Sequence, residues 1–102
     1  NQAIQMYEKV LNLEPENIDA LINMGSALHT LGKYTDAISY YNTVLRLDEK
    51  NTLALAYKGL SLGESGNISM AIKYFTKSLS IDRDYDLAQI SLETAKKFTH
   101  YN

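Results

Sequence analysis

His29 and His100 are the only imidazoles in the chain, and Asp82, Asp84 and Asp86 form a run of alternating carboxylates. Two imidazoles brought together can hold a metal or move a proton. These two fall in different helical segments, far apart, so neither chemistry is expected of them. The aspartate run has the alternation of a calcium loop, but the glycine and closing glutamate that such a loop needs do not follow at the required spacing. Asp82 also recurs from Asp48, so the run reads as a solvated turn between repeats. Serines and threonines are plentiful, yet no base is placed to activate one. No glycine-rich phosphate loop is present. No catalytic group, metal or cofactor is therefore expected, and the chain reads as something other than an enzyme.

The bulk composition narrows the alternatives. The chain has 102 residues, 45% hydrophobic and 22% charged, which suits one foldable domain. A net charge of −2, spread along the chain, builds no basic stripe for a phosphate backbone, so nucleic acid is not an expected partner. With no cysteine there is no disulfide or thiolate metal site, which fits a reducing, cytoplasmic compartment. No apolar run approaches the roughly 20 residues of a membrane span. The chain opens on Asn1 with no visible signal peptide, and it reads as a piece of a longer protein.

The elements that would position any site come from a repeat. The pattern that starts at Ile18 returns at Thr52, thirty-four positions on: Ala20, Leu21, Gly25, Leu28, Gly32, Ala37, Ile38 and Tyr40 recur as Ala54, Leu55, Gly59, Leu62, Gly66, Ala71, Ile72 and Tyr74. Apolar residues spaced three and four apart predict helices over 1–14, 18–31, 34–48, 52–65, 68–82 and 86–100. Short connections make neighbouring helices antiparallel. Gly32 and Gly66 suit left-handed helix ends, and Asn17 and Asn51 suit N-caps. Thr35 with Asp36, and Asn67, lie around the starts of the second helices, where polar groups complement the dipole.

These residues resemble the tetratricopeptide repeat family, a 34-residue helix–turn–helix motif. The first full repeat supplies Leu21, Met24-Gly25, Leu28, Gly32, Tyr34, Ala37, Tyr41, Val44, Leu45 and Leu47. The second supplies Leu55, Gly59, Leu62, Gly66, Ile68, Ala71, Phe75, Ser78, Leu79 and Ile81. Lys58 departs from the pattern in a slot that is usually apolar, and Glu49 and Arg83 stand where proline is frequent. The resemblance implies an all-α fold: an α-solenoid of six helices in antiparallel pairs, with a right-handed superhelical twist. On that resemblance, residues 1–17 are expected to be the second half of a truncated repeat, 18–51 and 52–85 full repeats, and 86–102 a C-terminal capping helix. A glycine inside a helix costs about 1 kcal/mol relative to alanine. Gly25 and Gly59 are therefore expected where partner helices approach closely, with Tyr41 and Phe75 filling the wider gaps.

The two ends differ. Ala3, Tyr7 and Val10 would ordinarily meet a preceding helix, so this face is expected to self-associate, making a homo-oligomer through the N-terminal helix. In the last helix, Ala88, Leu92 and Ala95 should pack inward, while Gln89, Glu93 and Lys96 present a polar outer face. In the family, the first helix of each repeat lines the concave surface. Carried over, that surface holds Ile22, Asn23, Ser26, His29, Leu53, Tyr57, Leu60, Leu87, Ile90 and Phe98, of which Leu53, Tyr57, Leu60, Leu87, Ile90 and Phe98 form an apolar track, with polar groups at one flank, for a peptide or an amphipathic helix. Family members that hold chaperone tails use a clamp of lysine, arginine and asparagine. Here only Asn23 matches, because Leu53 and Tyr57 occupy the basic slots, and chaperone-tail binding is not expected. The expectation is a protein–protein interaction scaffold with a peptide or protein partner; the alternative is an assembly module that joins through its ends.

Overall fold

The computed structural model describes residues 1–100, the side chain of His100 excepted. Residues 101 and 102 of the expected 86–102 segment, and the imidazole of His100, lie outside the described residues. Six helices account for the described chain: α1 Gln2–Leu13, α2 Ile18–Thr30, α3 Tyr34–Leu47, α4 Thr52–Glu64, α5 Ile68–Ile81 and α6 Asp86–His100. Each packs on the next, and α2–α4 and α4–α6 also touch, whereas among the described residues α3 and α5 do not. The result is a two-layer stack measuring 45 × 26 × 19 Å, with α2, α4 and α6 in one layer and α1, α3 and α5 in the other.

The helix ends follow local chemistry. Asn17 and Asn51 each accept a 2.9 Å hydrogen bond from the amide three residues on, Ala20 and Ala54, and Asn67 accepts one of 3.3 Å from Met70. Asn1, read as part of the first helix, is instead its cap, accepting from Ala3 and Ile4. α3 starts after Lys33 with no side-chain cap, and Thr35 and Asp36 lie in its first turn. Gly32 and Gly66 have φ of 78° and 98°. That conformation lets the next residues turn back, and Lys33 and Asn67 donate to the carbonyls of Leu28 and Leu62 at 2.9 and 2.8 Å.

Packing explains the small residues. A Cβ on Gly25 would lie 2.5 Å from the Tyr41 ring, and one on Gly59 would lie 2.5 Å from the Phe75 ring. The aromatic ring of each second helix therefore rests on the backbone of the first. Ala37, Val44, Ala54 and Ala71 are fully buried around these contacts. Ser78 occupies the slot of Val44 and satisfies its hydroxyl by donating to the Thr52 carbonyl at 3.0 Å.

The first and last helices are asymmetric. Ala3 is exposed and Tyr7 and Val10 are half-buried, although the same register in α3, Ala37, Tyr41 and Val44, is buried. In α6, Ala88 and Ala95 are buried and Leu92 packs against Ala71, Phe75 and Ala95, while Gln89, Glu93 and Lys96 are exposed. Among the described residues, no helix is long and apolar enough to cross a membrane.

Candidate binding groove

The layer of α2, α4 and α6 presents the residues expected to line the groove, and repeat register decides which of them a ligand can reach. Ile22 is only 6% exposed and packs with Leu21, Val44 and Ala54, so it is a core residue beneath the groove rather than part of its lining. Ile90 occupies the same register two repeats later and is 65% exposed. Leu53 and Tyr57 are half-buried against the core around Ile22. The Tyr57 ring meets Tyr41 edge-on, centroids 5.9 Å apart. Burial, and then the neighbouring Tyr57, push the Tyr41 phenol well above its ordinary pKa. Tyr85 is raised too, by burial and then by Tyr57 and Asp82. Tyr57 is thus a buttress between repeats as much as a surface residue. Asn23 is exposed, Ser26 and Leu87 are half-buried, and none of the three lines the pocket described next.

His29 has a structural duty. Its Nδ1 lies 2.7 Å from the Oγ of fully buried Ser61, and its ring meets Tyr34 edge-on at 5.1 Å. The imidazole closes the space between α2 and α4 and gives a buried hydroxyl its partner. One repeat later this register holds Gly63, and Ser61 gives way to Ala95. Among the described residues, no such hydrogen bond joins α4 to α6. There a pocket of about 450 Å³ opens, lined by Leu60, Gly63, Ile90, Thr94 and Phe98 and floored by Phe75. Phe98 is 61% exposed. The structure therefore gathers Leu60, Ile90 and Phe98 of the expected track into one concavity, and leaves the other track residues outside it.

Gly59, Gly63 and Ile68 also line this pocket, although their register alone does not mark them as lining residues. The signal was the loss of a side chain at Gly63 where the preceding repeat has His29. Thr94 and Glu64 add polar edges to apolar walls, an arrangement suited to one apolar side chain entering beside a peptide backbone. Among the described residues, no group of three or more histidines, aspartates or glutamates is placed to hold a metal ion.

The helix pairs, their glycine–aromatic contacts and the 34-residue displacement all agree with two matches to family models. Both models are described as tetratricopeptide repeat, and they cover residues 18–51 and 53–85. The chain belongs to the tetratricopeptide repeat family. Solved tetratricopeptide domains share its shape. The first such domain of Spaghetti (RPAP3), bound to the HSP90 peptide SRMEEVD, is 23% identical with a TM-score of 0.89, over 95% of this chain and 77% of that one. The Arabidopsis OM64 domain is 19% identical with a TM-score of 0.91, over 96% and 81%. The second domain of human RPAP3, in complex with the HSP70 peptide SGPTIEEVD, is 22% identical with a TM-score of 0.84, over 91% and 78%. At these identities the likeness is one of fold. No curated protein matches the chain.

Proposed function

We propose that this tetratricopeptide stack is a non-catalytic interaction module that takes a peptide segment of a partner protein in the pocket between α4 and α6. The observation that carries the reading is the apolar concavity of about 450 Å³ lined by Leu60, Ile90 and Phe98. Solved domains of the same fold that are bound to peptides support an interaction role. Their ligands are not carried over, because Leu53 and Tyr57 hold the slots where basic clamp residues would meet acidic tails. The ligand that fits is an extended or helical segment with one large apolar anchor.

The test is selection of displayed random peptides on the whole chain. Selected peptides should share a large apolar residue, and Phe98→Glu should weaken them about tenfold or more while leaving helicity intact. Recovery of no common apolar residue, or equal binding by Phe98→Glu, would count against the pocket.

A second reading is favoured by the open register of α1. Ala3, Tyr7 and Val10 occupy positions that are buried in α3, so a second copy could cover them. Light scattering should then show mass rising with concentration, and Val10→Lys should abolish the rise. A constant monomer mass would remove this reading.

A further inference from the structure

The opposite side of the stack carries a site with different chemistry. Because α3 and α5 do not meet, a cleft of about 420 Å³ runs between them with α4 as its floor. Arg46, Lys58, Tyr74 and Lys77 line it together with Asn42 and Glu49. Lys58 donates to the Tyr74 hydroxyl at 3.0 Å, and its ammonium lies 4.2 Å from the ring centroid. The Lys77 ammonium lies 5.3 Å from the same centroid. Arg46 spends one N–H on Thr43 at 3.0 Å and keeps other donors for a ligand. Two ammonium groups thus crowd one ring on a chain of net charge −2.

The array supplies its own reference. One repeat earlier, a smaller cleft of about 250 Å³ forms between α1, α2 and α3, with Tyr40 where the second has Tyr74. Leu45 and Leu55 repeat Leu11 and Leu21, but at several other registers the residues change polarity or charge. Met24 becomes Lys58, Thr43 becomes Lys77, Asn12 becomes Arg46, Ser39 becomes Lys73, and Glu8 becomes Asn42. Glu8 and Asp36 make the earlier cleft acidic. Only Glu49, in place of Pro15, runs the other way. Core packing does not require these changes, since Met24 fills the same slot as a buried apolar residue. The Tyr74 phenol responds to the field: the Lys58 hydrogen bond and then the charges of Lys58, Lys77 and Lys73 lower its pKa against the effect of burial.

We propose that the cleft between α3 and α5 is an oxyanion site that takes a phosphate group, held by Lys58, Lys77 and Arg46 and bordered by the Tyr74 hydroxyl. A phosphate relieves the repulsion between the two ammonium groups and offers acceptors to the guanidinium donors. The Glu49 carboxylate lines the same cleft and opposes an anion there, against the three cations of Arg46, Lys58 and Lys77. The site lies on the far side of the stack from the α4–α6 pocket, so it stands or falls independently of the peptide reading.

The test is a titration of the whole chain with inorganic phosphate at constant ionic strength, followed by amide shifts, with chloride as the control. Saturable shifts confined to the surroundings of Lys58, Tyr74 and Lys77 are expected. Lys58→Met and Lys77→Thr, each the residue of the preceding repeat, should together weaken binding at least about tenfold. Phe98→Glu should leave it unchanged, and thermal melts confirm that each variant is folded. Lys58→Gln is a second probe should the apolar variant disturb packing. A phosphoserine peptide binding more tightly than inorganic phosphate would point to a modified protein as the source, and equal binding to the free ion; both keep the site. Shifts equal to those with chloride, or saturation unchanged in Lys58→Met/Lys77→Thr, would overturn it.

Discussion

Replacing Gly59 with alanine sets two effects of known size against each other. Alanine gains about 1 kcal/mol of helix propensity over glycine. The new Cβ, however, would sit 2.5, 2.7 and 3.0 Å from three carbons of the Phe75 ring. Carbon pairs rest at about 3.5–4.0 Å, so the ring or the whole of α5 must retreat by about 1 Å. Overpacking of that kind costs about 1–3 kcal/mol, so Gly59→Ala should destabilise by about 1 kcal/mol net. Gly63 lies one turn further along the same helix and is the control. Its Cβ would meet only the Ala71 Cβ at 3.6 Å, an ordinary contact. Gly63→Ala should therefore be neutral or stabilising by up to about 1 kcal/mol. In a domain of this size 1 kcal/mol moves the melting temperature by about 4–8 °C. The two variants should melt on opposite sides of the parent in circular dichroism. Adding Phe75→Leu to Gly59→Ala should recover part of the loss, with a coupling of at least about 0.5 kcal/mol. A Gly59→Ala protein as stable as Gly63→Ala would refute close helix approach as the reason for this glycine.

Two further outcomes follow from the same contacts. Tyr41 keeps its proton in the fold above the pH at which the unfolded phenol ionises, so its contribution is intact below pH 10.0 and is lost above it. The free energy of urea unfolding should fall by up to about 1.4 kcal/mol per pH unit beyond that point, and Tyr41→Phe should remove most of the slope; an unchanged slope would contradict this. Ser61→Ala deletes the partner of His29 and should cost about 0.5–1.5 kcal/mol in urea unfolding, whereas a change within error would mean that the 2.7 Å contact does not tie α2 to α4. The peptide SRMEEVD should show no saturable binding in calorimetry, since the basic clamp slots hold Leu53 and Tyr57; tight binding would contradict that assignment.

Helix positions were legible because spacing marks all six, glycine turns close α2 and α4, and asparagine caps open α2, α4 and α5; the ends fall within a residue of where periodicity places them. The glycine–aromatic contacts were legible because a helical glycine needs an offsetting gain. What spacing does not convey is how much of a face a neighbouring helix covers. Ile22 and Ile90 share a register, yet α4 covers the first and nothing in the described structure covers the second to the same extent. His29 belongs to the groove by register, but the hydroxyl of Ser61 draws it into a bridge, a pairing visible only with both helices in place. Lys58 reads as a faulty core position and becomes instead a hydrogen-bonded cation on Tyr74. The residues that shape both clefts show themselves when one repeat is laid over the next.

The most direct measurement is the calorimetric affinity of a selected peptide for the parent chain and for Gly63→His, which returns to α4 the side chain that fills the gap in the preceding repeat. Burying one large apolar side chain contributes about 1.5–3 kcal/mol. An open α4–α6 pocket as the binding site therefore predicts a loss of about ten- to hundredfold with no loss of helicity. Equal affinity for the two proteins would contradict it.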